Sequence, residues 1–142
     1  MGMRKHAGFT LLELMVVVAI IALTAGAVSL ALPPAAERQL AQEAQRLSAL
    51  LERARAQSRA SGQVVVWRAS DGGFAFQRGT AAVRDADQYQ WLHPGVTVRP
   101  HQLWLGPEPV IAAQRMVLTG LDGRSVALAS DGVRPFAVQW EP

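Results

Sequence analysis

The chain has 142 residues, 50% of them hydrophobic and 18% charged, with no cysteine. That length accommodates one ordinary domain of about 100–150 residues plus one extra segment, and excludes a large multidomain enzyme, a zinc ribbon, a disulfide scaffold and cysteine-based catalysis. The formal net charge of +3 comes from fourteen basic residues, with Lys5 the sole lysine, against eleven acidic ones. Without Arg4 and Lys5, twelve oppose eleven, too even a balance for the counterion release that drives nucleic-acid binding.

The hydrophobic residues are concentrated near the N-terminus. Arg4-Lys5-His6-Ala7-Gly8 precedes Phe9-Thr10-Leu11-Leu12-Glu13, after which Leu14 to Leu32 carries no charge and Pro33-Pro34 closes the run. A stretch of about 20 apolar residues is what a membrane-spanning helix needs. The basic residues in front of it place the N-terminus in the cytoplasm and everything after Pro33 on the far side. Glu13 stands out, because a carboxylate at the edge of an apolar helix calls for a cation. Its place in the first turn suits the positive end of the helix dipole, and a free α-amine on a neighbouring chain would be a fitting partner.

Gly8-Phe9-Thr10-Leu11-Leu12-Glu13-Leu14 resembles the class III signal of type IV pilins and type II secretion pseudopilins. The resemblance implies a short basic leader removed after Gly8 by an integral-membrane prepilin peptidase. It also implies N-methylation of the new terminus at Phe9, and pairing of Glu13 with the amine of an adjacent subunit during assembly. A plain single-pass anchor accounts for Leu14–Leu32 but not for Gly8, Phe9 or Glu13. A secretory signal peptide cut near Ala25-Gly26-Ala27 does not account for the apolar residues that continue to Leu32.

From Ala35 to Ala60 the composition turns to Ala, Gln, Glu, Arg and Leu, all strong helix formers. Leu40, Ala44, Leu47, Leu51 and Ala54 recur at four- and three-residue spacing and define one apolar face, with Leu50 beside it. Glu37, Arg38, Glu43, Arg46, Glu52 and Arg53 are assigned mostly elsewhere, and Glu43–Arg46 and Glu52–Arg55 are read as weak i,i+3 pairs. Ser61-Gly62 supplies a glycine stop, and Pro33-Pro34 predicts a kink or break before the helix.

The rest reads as short strands between turns: Gln63–Ala69, Phe74–Gln77 after Asp71-Gly72-Gly73, then Tyr89–Leu92, Val96–Arg99 and Leu103–Leu105. Met116–Thr119 and Arg124–Ala129 flank Gly120-Leu121-Asp122-Gly123. Ser130-Asp131-Gly132 turns into a last strand whose Phe136, Val138 and Trp140 share one face. The fold class is α+β: a long N-terminal helix, half transmembrane and half amphipathic, packed on an antiparallel sheet or sandwich. The expected organisation is a leader over 1–8, a transmembrane helix over 9–32, an amphipathic helix over 33–60 and a periplasmic β-rich domain over 61–142. This layout resembles the pilin fold. Val126 to Phe136, with its apolar strand, Ser-Asp-Gly turn and Pro-Phe strand, is similar to the closing segment of the minor pseudopilin H family of type II secretion.

The pseudopilin resemblance implies a structural subunit at or near the tip of a short periplasmic filament that helps export folded proteins. Its implied partners are other pseudopilins, the prepilin peptidase and methyltransferase, and the inner-membrane secretion platform, with no cofactor. The competing reading is a type IV pilus minor pilin that contacts DNA through Arg124 and Arg134, with Trp140 as a stacking partner. Arg53, Arg55 and Arg59 read as a solvated helix face, and Trp67, Trp91 and Trp104 as core or subunit-interface residues. His93 and His101 lie in loops without metal-ligand spacing. Asp85-Ala86-Asp87 lacks the Gly and distant Glu of a calcium loop, and Ser58, Ser61 and Ser125 lack a nucleophile motif. Nothing points to an enzyme.

Overall fold

The computed structural model describes residues 10–31 and 34–140. It divides into an N-terminal segment as far as Pro34 and a domain that begins at Ala35. The segment is a helix, α1 (Leu11–Ala31), whose side chains are exposed from Leu11 to Ala25. A helix apolar on every side has no aqueous partner of its own to pack on. Its one hydroxyl between Leu14 and Ala25 is internally satisfied, as Thr24 donates to the carbonyls of Ile20 (3.0 Å) and Ile21 (2.9 Å). Among the described residues no helix is long and apolar enough to cross a membrane. The uncharged run expected to span a membrane continues to Leu32, which lies outside the described residues.

The second helix, α2 (Ala35–Ser61), forms where the helix-forming composition begins. Pro34 before it is not helical, while Leu32 and Pro33 lie outside the described residues. Gly62 ends it at φ 68°, a left-handed conformation that favours glycine, and its N–H reaches the carbonyl of Ser58 at 2.9 Å. The expected stripe is buried at Leu40, Ala44, Leu47, Leu51 and Ala54. Each leucine taken from water there contributes about 1.5–3 kcal/mol. Two residues depart from the expected pattern: Glu43, assigned off the apolar face, and Arg55, read as solvated, are both buried.

Among the described residues eight strands follow: β1 (Val65–Ser70), β2 (Gly73–Arg78), β3 (Gln88–Gln90), β4 (Thr97–Arg99), β5 (Gln102–Leu105), β6 (Gln114–Thr119), β7 (Ser125–Ser130) and β8 (Ala137–Trp140). They form two four-stranded sheets, β3-β2-β1-β5 and β4-β6-β7-β8, with every pair antiparallel. Register fixes which residues face inward, because side chains alternate along a strand. In the first sheet Trp67 pairs with Phe76 and Leu103, Val65 with Leu105, and Phe74 with Tyr89. In the second, Leu118 pairs with Val98 and Val126, and Leu128 with Met116 and Val138. These residues and the α2 stripe make one core.

Phe74 is the centre of an aromatic cluster. It stacks on Tyr89 at 5.3 Å and lies 4.8 Å from Trp91, with Trp67 and Phe76 about the rim. The Arg46 guanidinium covers both Phe74 and Tyr89, 5.8 and 5.9 Å from the ring centres. At Gly73 a Cβ would collide with the carbonyl of Tyr89, so β2 and β3 approach this closely only through glycine. Of the three tryptophans assigned to core or interface, Trp67 is buried and Trp91 packs on the core, whereas Trp104 is exposed.

Candidate functional site at the N-terminal motif and the second helix

Gly8 and Phe9, the residues expected to flank leader cleavage and to carry the methyl group, lie outside the described residues. The site begins at Thr10. Its hydroxyl accepts the N–H of Glu13 at 3.2 Å and its carbonyl accepts that of Leu14 at 3.2 Å. Thr10 is therefore the N-cap of α1 and Glu13 its third helical residue, the positions of a Thr-x-x-Glu capping box. The Glu13 side chain is exposed and takes no ion pair among the described residues. Geometry thus places an exposed carboxylate in the first turn of an apolar helix.

The domain carries a second polar constellation, where α2 meets the loop between β7 and β8. Ser48 donates to the carbonyl of Phe136 at 2.6 Å, and the N–H of Phe136 donates to Glu52 at 3.0 Å. Arg55 donates to the carbonyls of Gly132 and of Arg134 (3.3 Å). Three successive turns of the helix thus hold one loop. Within that loop Ser130 donates to the Arg134 carbonyl at 2.7 Å and accepts the Gly132 N–H at 3.1 Å.

Asp131 accepts the N–H groups of Arg134 (2.7 Å) and Val133 (2.9 Å). Those two amides, Arg134 first, hold its carboxyl below the ordinary value of 3.8. A lowered native pKa means that this stabilisation is complete above 3.8 and is lost as pH falls through the native value. An NMR titration of Asp131 is expected to give a midpoint under 3.8, with the amide shifts of Val133 and Arg134 following it. The group is exposed, so acid should loosen the loop without unfolding the domain.

Buried Glu43 organises the other side of α2. It accepts the Leu92 N–H at 2.7 Å and an Arg46 bond at 3.3 Å, while Arg46 also donates to the Gln90 carbonyl at 2.9 Å. The i,i+3 pair expected to be weak is part of a clamp on the chain leaving β3. Glu43→Ala should cost about 1–3 kcal/mol in chemical denaturation, the penalty of leaving the part-buried Leu92 N–H without its acceptor. Glu43→Gln, which keeps an acceptor oxygen, should cost clearly less.

The two arginines singled out for DNA stand far apart. Arg124 is ion-paired with Glu37 and lies 3.6 Å from Asp122. Arg134 projects into solvent beside Asp131 at 3.7 Å. Glu37 and Arg55, the α2 residues at those two levels, are eighteen positions apart, about 27 Å along a helix. Arg53 and Arg59 are exposed, as read. Asp87 is occupied by two guanidiniums, Arg78 at 3.0 Å and Arg84 at 2.8 Å, so this aspartate serves to tie down the 79–87 segment. His93 and His101 lie in the loops after β3 and β4, and no metal-binding cluster of three or more His, Asp or Glu occurs among the described residues. Ser58 is buried and donates to the carbonyls of Gln63 (2.6 Å) and Leu105 (2.9 Å), a structural role.

An N-terminal helix followed by a second helix laid on antiparallel sheets is a pilin-like fold. Residues 3–29 match the prokaryotic N-terminal methylation motif, a motif that implies processing by prepilin peptidase and pilin-type partners. The structure is similar to the type IV minor pilin FimU of Pseudomonas aeruginosa, with a TM-score of 0.52 and 18% identity over 77% of this chain and 93% of that one. No curated protein matches the chain. The chain thus carries a prepilin-type N-terminal methylation motif and a pilin-like fold.

Proposed function

We propose that the chain is a minor pseudopilin of type II secretion, a structural subunit and not an enzyme. The observation that carries this reading is Glu13 presented on the outer side of an N-capped apolar helix inside the methylation motif. Leu14–Leu32 holds the precursor in the inner membrane with the domain from Ala35 in the periplasm. Prepilin peptidase cuts between Gly8 and Phe9, and Phe9 is methylated. Glu13 then pairs with the terminal amine of a neighbouring subunit, at or near the tip of the filament, above the inner-membrane platform. The closing segment Val126–Phe136, similar to that of pseudopilin H, supports the secretion assignment.

The likeness to FimU supports a second reading, a minor pilin of a type IV pilus. The extracellular proteome of a deletion strain, with and without the complementing gene, separates the two. Secretion predicts loss of folded exported enzymes from the medium and their accumulation in the periplasm. An unchanged secretome with lost twitching or transformation would assign the protein to a pilus instead. In that case a salt-sensitive gel shift weakened by Arg124→Ala or Arg134→Ala would identify DNA as a ligand.

A further inference from the structure

One end of the domain displays apolar side chains that its core does not use. Leu121, at the tip of the β6–β7 turn, is 82% exposed, and Leu92, in the loop after β3, is 51% exposed. The two loops touch: a methyl group on Gly95 would collide with the Leu121 side chain. Trp140 is at the same end, paired with Val126 at the start of β7, and is 46% exposed although it shares the inward face of β8. This end is also where α2 begins, since Gly120 lies beside Leu40 and Arg124 pairs with Glu37.

The chain itself points to the occupant. Leu32, the last residue of the uncharged run, is three chain steps from Ala35, which span at most about 11 Å. Leu40 is a further five residues along α2, a rise of about 7.5 Å. The Leu92–Leu121–Trp140 surface is therefore tethered within a short reach of whatever boundary ends the apolar run. Leucine tips with a half-exposed tryptophan match the amphipathic headgroup region, where tryptophan is enriched. The charge beside them is largely internally matched, Arg124 facing Glu37 and Asp122.

We propose that this end of the domain is a membrane-contacting foot that seats on the lipid surface before the subunit joins a filament. The inference rests on the membrane-anchored reading of α1, and its test separates the two. The chain has no cysteine, so Val18→Cys, Leu121→Cys and Val133→Cys each give a single labelling site in the full-length protein. Val133 is 64% exposed at the level of Arg55, the far end of α2. Each variant is labelled with a small fluorophore and reconstituted into phosphatidylcholine–phosphatidylglycerol vesicles carrying nitroxide-labelled lipids.

Shallow insertion of about 5–10 Å predicts about a twofold loss of fluorescence at Leu121 and little at Val133, with Val18 strongly quenched. Quenching at Val18 but not at Leu121 would overturn the foot and leave the anchor standing. No quenching at Val18 would overturn the anchor, and the foot with it. A Leu121 label shielded from aqueous iodide yet untouched by lipid nitroxide would mean a protein contact there, which also overturns the proposal.

Discussion

Glu13→Ala is expected to insert in the membrane and lose its leader normally, yet to enter the filament about a hundredfold less than the unaltered chain. In the proposed assembly the carboxylate would meet its partner amine out of water, where removing one member of an ion pair costs about 3–5 kcal/mol. At about 1.4 kcal/mol per tenfold, that is a hundredfold or more in association. The helix start should survive the change, because Thr10 caps the main-chain N–H of residue 13 and not its side chain. Alanine is also the better helix former. Glu13→Gln keeps shape and removes charge, and should behave like Glu13→Ala. Sheared filaments blotted for the subunit, beside a blot of the processed pool in the membrane, give the ratio. Normal incorporation of either variant would remove the proposed role of Glu13.

The second large effect belongs to Arg55. Its side chain is 1% exposed, and its guanidinium serves two loop carbonyls, with Glu52 at 3.9 Å and Nε unpaired. Arg55→Ala removes one donor from each carbonyl, leaving the Arg134 carbonyl with the Ser130 hydroxyl and the Gly132 carbonyl with the Ile111 N–H (3.3 Å), and opens a cavity beneath the loop. The expected loss is about 3–5 kcal/mol, a large part of the 5–15 kcal/mol that holds a domain together. Melting of the detergent-solubilised full chain, followed by the near-ultraviolet signal of its tryptophans, should fall by at least 10 °C or so. Arg53→Ala and Arg59→Ala, both at exposed positions, should stay within about 0.5 kcal/mol. If all three variants melt alike, the loop is not held by α2 in the way described.

Arg55 also marks where the sequence was hard to read. The stripe from Leu40 to Ala54 was legible because apolar residues at four- and three-residue spacing have no other use in a soluble helix. Glu43 and Arg55 obey the same spacing. Glu43 is three past Leu40 and four before Leu47, and Arg55 is four past Leu51. Position placed them inside, and charge argued for the outside. Burial wins because backbone groups of distant loops, Leu92 N–H and the Gly132 and Arg134 carbonyls, wait there for partners. Such partners arise only from tertiary structure.

The strands were legible from alternation and turns, to within two or three residues at most ends, as with Gln63–Ala69 against Val65–Ser70 for β1. The partition into two sheets was not. β4 and β5 are near neighbours in sequence but pair in different sheets, β4 with β6 and β5 with β1. Hairpin logic finds β1–β2 and β6–β7, where a short turn brings partners together. It carries no signal for β1–β5, whose pairing follows from Trp67 and Leu103 sharing an inner face. At the N-terminus Glu13 was legible because a charge in an apolar helix is costly, whereas the Thr10 cap appears only once the helix start is located.

The measurement that bears most directly on the account is the intact mass and N-terminal fragmentation of the chain purified from membranes. A species that begins at Phe9 with one methyl group on its amine is the predicted result. A chain that keeps residues 1–8, or one cut near Ala27, would contradict it.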